Sequence, residues 1–231
     1  VIGQDGLGVA PFDPARDGQW RTTLLGLTGH HDLPWTWRTF DEHLAAIAAA
    51  RPATNVAALV TFGAIRNAVI GLTDRPATPA DLDRMTGLVA EAMAAGAFGM
   101  SVGLVYLPAV FAAREELVAV FRAVGRARGL MVVHLRSQGD VWLEAIDEAI
   151  GIAREAEVAL HVSHVCSLGS RNWPKIPYAL ARFEAARASG LPVTFDQHPY
   201  TAASTVLAQV LPPWVTEGGP GAMRERLAED A

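Results

Sequence analysis

Residues 131–140 read MVVHLRSQGD, and residues 158–167 read VALHVSHVCS. Each opens on an apolar, strand-like run, reaches a histidine (His134, His164), and passes into polar or small residues. The pattern recurs in LPVTFDQH (191–198), whose strand closes on Asp196. These three strand ends lie 30 and 32 residues apart, the length of one strand plus its following helix and loops in a parallel sheet. The near-continuous apolar character of the runs is what strands covered on both faces require.

The segments between them carry the other periodicity. Leu117, Val120, Phe121 and Val124 predict a helix ending near Gly129 and leading into the strand at 130–135. Leu143, Ile146, Ile150 and Ala153 predict the next helix, and Ile176, Leu180 and Phe183 the one after. Upstream, Thr78 can cap a helix, Pro79 suits its first position, and Asp81 meets the positive end of the dipole. Leu82, Met85, Val89 and Met93 fall on one face of that helix, and Gly96 stops it. GAFGMSVGLVYLP then reads as a short strand running into a glycine-rich loop. The first seventy residues are less regular, with a helix expected from about Phe40 to Ala50 and a strand from about Asn55 to Val60.

The alternation defines an α/β fold. A doubly wound sheet would satisfy it, but the even spacing and the polar residues at successive strand ends favour a (β/α) barrel, whose chemistry sits at the C-terminal ends of its strands. With 231 residues, 51% of them hydrophobic, and six tryptophans, the chain has ample material for one core. Net charge is −5 without blocks of one sign, which disfavours a nucleic-acid partner. No apolar run is long enough to span a membrane, and the single cysteine, Cys166, excludes an internal disulfide. A reducing, cytoplasmic location is expected from that usage. Oligomeric state is not legible.

A strand-end histidine can ligate a metal, because neutral imidazole is a good zinc ligand and a rigid strand fixes its direction. It can equally be a hydrogen-bonded structural residue. The matching positions of His134 and His164 make a shared ion a balanced alternative to two separate structural roles. His161 falls on the opposite face of a regular strand from His164 and is read as structural, against the helix layer. Asp196 can serve as ligand, base or orienting group, or simply form the turn before Pro199, and His198 shares its face. Cys166 reads as a small buried residue and Arg136 as a carboxylate partner or a surface ion pair. His30 and His31 read as solvated loop residues, Trp35 and Trp37 as core or subunit contacts. GQDG and GGPG are turns without the strand-turn-helix context of a phosphate loop.

Taken in order, GAFGMSVGLVYLP, VVHLRSQGD, LHVSHV, Asn172-Trp173, VTFDQHPYTAAST and LPPW (211–214) resemble the N-acyl-D-amino-acid deacylase (D-aminoacylase) branch of the amidohydrolase superfamily, as do VIGQDGLGVAP at the start and NVAALVTFGAIR at 55–66. The resemblance implies a metal-dependent (β/α) TIM-like barrel, a zinc ion (Zn2+), and hydrolysis of the amide of a small N-acyl-D-amino acid substrate. It makes His134 and His164 two metal ligands and places Asp5, in the turn Gly3-Gln4-Asp5-Gly6, where the family often carries a cysteine ligand. A carboxylate can take that place, with harder oxygen for softer sulfur. Arg136 and Ser204 match positions that hold the substrate carboxylate or order the pocket. His198 stands at a tyrosine position and Cys166 at a lysine position, two changes on the substrate side. The family's His-x-His strand precedes the first of these motifs and its catalytic aspartate follows the last, so residues 1–231 are expected to be an internal fragment of the catalytic barrel, inactive or nearly so alone. A hydrolase of cyclic amides (hydantoin or dihydropyrimidine type) and a non-catalytic barrel scaffold are the rival expectations, the second motivated by the replaced cysteine, lysine and tyrosine.

Overall fold

A computed structural model of the chain describes residues 1–13, 17–29 and 34–229; His30 and His31 lie outside the described residues. In chain order the main elements are α1 (Asp17–Thr28), α2 (Phe40–Ala49), β1 (Val60–Thr61), α3 (Phe62–Val69), α4 (Pro79–Ala94), β2 (Gly99–Gly103), α5 (Arg114–Arg126), β3 (Leu130–His134), α6 (Trp142–Glu155), β4 (Ala159–Val162), α7 (Ile176–Ala188), β5 (Val193–Phe195), α8 (Pro213–Thr216) and α9 (Pro220–Glu229). The five strands form one wholly parallel sheet in the order β1-β2-β3-β4-β5. Strand order therefore follows chain order without reversal. Right-handed crossovers then put every connecting helix on the same face, as in a barrel wall, and the point of reversal that defines a doubly wound sheet is absent among these strands.

The core lies between that face and the helices. Met100, Val102, Met131, Val133, Leu160 and Val162 are all within 1% of full burial and pack with Leu117, Val120, Phe121, Ile146 and Phe183 from the helices. On the other face the register aligns Thr61, Ser101, Val132, His161 and Thr194 in a row across the sheet. His134 and Asp196 stand two residues beyond Val132 and Thr194, so they share that second face at the C-terminal end.

α4 starts as its sequence predicts. The Thr78 hydroxyl accepts from the Asp81 amide at 3.2 Å and the Asp81 carboxylate accepts from the Thr78 amide at 2.9 Å, a complete capping box. The expected strand at 55–60 is shorter and later, because Phe62 already opens α3; Ile2 and Ala58 make an isolated parallel bridge beside it. In α7 the periodicity holds but the face differs: Ala179, Phe183 and Ala186 are buried, whereas Ile176 and Leu180 are exposed at 44% and 39%. Two alanines line the contact with α6 and β5, and small residues give a periodic reading little to detect. Trp35 and Trp20 belong to a second core with Phe12, Leu24, Ala64 and Leu72. Among the described residues no helix is long and apolar enough to cross a membrane.

Candidate metal centre

Asp5 reaches the sheet from an arm that the tryptophans hold down: Trp20 Nε1 donates to Gly8 O at 2.9 Å and Trp37 Nε1 to Val9 O at 2.6 Å. The turn itself sits on β2. Gly6 N donates to Ser101 Oγ at 3.0 Å, and that hydroxyl donates to Gly3 O. Asp5 takes a left-handed φ of 55°, which a short polar side chain tolerates. The approach demands glycine at position 103, where a Cβ would lie 2.2 Å from Asp5 O.

His134 closes β3, its ring packed at 5.0 Å from that of Tyr106 and 4.4 Å from that of His164. β4 ends at Val162, and His164 adopts φ 37°, so regular alternation stops before it. That break brings His161 and His164 to the same side of the sheet, in contrast to the expectation of opposite faces. His161 is no packing residue against the helices: Nδ1 lies 2.8 Å from Thr194 Oγ1 and Nε2 lies 3.0 Å from Asp196 Oδ2. The other carboxylate oxygen of Asp196 accepts from the His164 backbone amide. Asp196 thus acts as a brace for the His164 turn. Burial alone would raise its pKa, but the bonds from His161 and the His164 amide hold it below the usual carboxylate range.

Asp5, His134 and His164 converge. Asp5 Oδ1 is 3.8 Å from His134 Nδ1 and 3.4 Å from His164 Nε2, and one ligand atom from each residue lies within 4.8 Å of the others. Tetrahedral ligands at about 2.0–2.2 Å from one zinc stand roughly 3.3–3.6 Å apart. Asp5 Oδ1 and His134 Nδ1 are buried without a hydrogen-bond partner, the state in which a polar atom costs most unless something else satisfies it. The donor set, two imidazoles and a carboxylate, suits zinc. The residues therefore fit a metal ion. Burial, then the neighbouring His164, lower the His134 pKa to about 4 against the pull of Asp5. For His164 burial also works downward, but the Asp5 carboxylate outweighs it and the net shift is upward.

The other expected site residues lie around this point. Arg136 is committed elsewhere: its Nε is 3.1 and 3.0 Å from the two Glu148 carboxylate oxygens, Nη2 is 3.0 Å from Oε1, and Nη1 donates to Val110 O at 3.1 Å. It ties the end of β3 to α6 and the loop after β2, which orders the pocket. The His198 ring is 5.5 Å from His164 and stacks on Tyr200 at 5.3 Å, while Ser204 is exposed beside Thr205, whose hydroxyl meets Tyr106 Oη at 3.0 Å. Cys166 is half-buried, and burial pushes its thiol pKa up, away from a reactive thiolate. Sequence reasoning passed over Tyr106 and Gln138, although both follow a strand end, the signal that singled out the histidines. Beside the triad lies a cavity of about 640 Å3 whose wall includes Leu7, Leu104, Tyr106, Val206, Leu211 and Met223.

No family model matches the chain. It is 35% identical to a D-aminoacylase of Alcaligenes xylosoxydans xylosoxydans over 209 residues, 90% of this chain and 42% of the relative. It is 36% identical to an N-acyl-D-aspartate deacylase of the same organism, over 90% of this chain and 41% of that one. Among solved structures, an N-acyl-D-glutamate deacylase from Bordetella bronchiseptica, complexed with zinc and a phosphonate mimic of the tetrahedral intermediate, superposes with a TM-score of 0.79 at 31% identity, covering 86% of this chain and 41% of that one. The chain thus spans about two-fifths of the length of the curated relatives it matches. Over 90% of its own length in sequence and 86% in fold, the chain is similar to N-acyl-D-amino-acid deacylases (D-aminoacylases), the family that its motifs resemble.

Proposed function

We propose that the protein containing these residues hydrolyses the amide bond of N-acyl-D-amino acids, with a zinc ion held by Asp5 Oδ1, His134 Nδ1 and His164 Nε2. The observation that carries this reading is the convergence of the three donor atoms, two of them buried and otherwise unpartnered. Zinc bound there supplies Lewis acidity, which lowers the pKa of water and polarises an acyl carbonyl. The chain's own residues do the positioning. Tyr106 walls one side of the His134 ring, Asp196 fixes the backbone at His164, and Arg136 clamps the loops that frame the cavity. The apolar wall of that cavity suits the acyl chain or the side chain of the amino acid. His198, whose ring lies beside that of His164, and the exposed Ser204 are the candidates for the substrate carboxylate.

Asp196 is engaged by His161 and by the His164 amide, so it is not offered as the proton-transferring base. We assign that role to an aspartate in the part of the family's length that the chain does not match, and we take residues 1–231 as part of the catalytic barrel. Cytoplasmic residence fits the one unpaired cysteine. The test is to supply the longest natural form of the protein with zinc and measure the amino acid released from N-acyl-D-amino acids, their L-enantiomers and hydantoins. Release from the D-substrates alone supports the proposal. Absence of bound zinc, or turnover confined to the cyclic amides, overturns it.

A further inference from the structure

We propose that Gln138 is the positioning residue of His164: its side-chain amide fixes the imidazole and, by the end it turns toward Nδ1, sets which ring nitrogen carries the proton. This inference rests on the reading of His164 Nε2 as a zinc ligand. Gln138 Nε2 lies 2.9 Å from His164 Nδ1 and donates to His164 O at 3.2 Å, so one amide holds both the ring and the backbone of the same residue. Gln138 is itself held. Its carbonyl accepts from Leu168 N at 2.8 Å, which ties the loop after β3 to the loop after β4. Two residues on, the Asp140 carboxylate accepts from Arg171 Nε at 2.8 Å and Asn172 Nδ2 at 3.1 Å, and its carbonyl accepts from Lys175 Nζ at 2.6 Å. The amide therefore sits on a braced pair of loops.

The proton assignment follows from the donors. An amide NH2 can only donate, so Nδ1 accepts, and a neutral ring then carries its proton on Nε2, facing Asp5 Oδ1 at 3.4 Å. A metal ion needs the lone pair on Nε2, which requires the proton on Nδ1 and an acceptor opposite it. Half a turn about the last side-chain bond of Gln138 presents Oε1 to that N–H, in exchange for its bond to His164 O. Glutamine can serve both tautomers. A glutamate carboxylate at this position serves only the one that ligates, and a leucine serves neither.

Two variants of the purified protein test this, with zinc affinity read by competition against a chromophoric chelator and the His164 tautomer read from its ring nitrogen chemical shifts. Gln138→Leu should weaken zinc binding about 10- to 100-fold. Gln138→Glu should bind zinc at least as tightly as the unsubstituted protein and show the proton on Nδ1 even without metal, where the unsubstituted protein shows it on Nε2. An affinity for Gln138→Leu within twofold of the unsubstituted protein, or an unchanged tautomer in Gln138→Glu, overturns the inference. The glutamate variant and its spectrum decide the matter even if the leucine variant does not fold. Failure of the unsubstituted protein to bind zinc would instead sink the proposed function, and the metal-free spectra would still judge Gln138.

Discussion

His134 and His164 share one candidate ion, yet their protonation differs in sign: the first is held near pKa 4, chiefly by burial, and the second is raised above its ordinary value by the Asp5 carboxylate. Protons compete with zinc for imidazole lone pairs. As pH falls through a value above about 6.5, His164 should therefore take up a proton, while His134 remains neutral down to about pH 5. A plot of log Kd for zinc against pH should fall with a slope of one proton over that window, not two; a two-proton slope in a chelator competition series would show that His134 titrates as an ordinary histidine. A second expectation concerns position 103, where a Cβ would meet Asp5 O at 2.2 Å. Gly103→Ala should cost about 1–3 kcal/mol of stability through overpacking and should weaken zinc binding by displacing Asp5, both measurable by denaturant titration with and without metal. At this scale the sequence was legible where chemistry repeats. His134 and His164 stood out because each closes an apolar run. Asp5 came only from resemblance, since a lone carboxylate in a Gly-flanked turn has no periodic signal. His161 was placed on the wrong face because alternation was carried through to a residue whose φ of 37° ends it.

The elements themselves were best foreseen where local and tertiary signals agree. α4 has its cap, proline and first-turn acid in the order that helix termini favour, and the capping box forms. Thr78→Ala should cost about 1 kcal/mol. The Asp81 carboxyl is held well below its ordinary pKa by hydrogen bonds from Arg75 and then Thr78. A depressed carboxylate pKa gives stability that is complete above the unfolded value, about 3.9, and lost as pH falls through the folded one. Asp81→Asn should accordingly lower stability at pH 7 and flatten the acid limb of the denaturation midpoint below pH 4; an unchanged limb would show that the box adds nothing. Inside the core, α3 and α5 are joined by Arg66 and Glu116, with Arg66 Nε at 2.8 Å from Oε1 and both side chains at most 2% exposed. Arg66 also donates to Thr73 O and Arg75 O at 2.9 and 3.0 Å. Glu116→Ala leaves a buried guanidinium without its counter-charge and should cost about 3–5 kcal/mol, read from the shift in denaturant midpoint. No sequence pattern announced this pair, because partners 50 residues apart meet only once helices pack. α7 shows the same limit: Ala179 and Ala186 take the core, and the larger Ile176 and Leu180 stay outside.

At the scale of the whole molecule, strand order equals chain order, and this places the two histidines side by side: β3 and β4 are neighbours because they are consecutive. The spacing of strand ends made that much legible from sequence. The return of the N-terminal arm was not, because its anchors are tertiary: Trp20 and Trp37 reach back to carbonyls at Gly8 and Val9, and Ser101 receives the turn. The candidate ion would therefore join three parts of the chain that nothing local brings together, Asp5 on the arm and His134 and His164 at the ends of two strands. A ligand that binds only the folded state stabilises it by mass action, about 2.7 kcal/mol at a hundredfold excess over Kd. For a chain of this size that corresponds to a rise of roughly 5–10 °C in Tm. The choice of control decides what the shift means. Asn tolerates the left-handed φ of Asp5 as well as Asp does, so Asp5→Asn keeps the turn and removes the anionic ligand. Zinc should raise Tm of the unsubstituted protein by that amount, a chelator should reverse it, and the Asp5→Asn variant should show less than half the shift while its metal-free Tm stays within a few degrees. An equal shift in both proteins would place the bound zinc elsewhere, because an ion held by the two histidines alone forfeits the link to the arm.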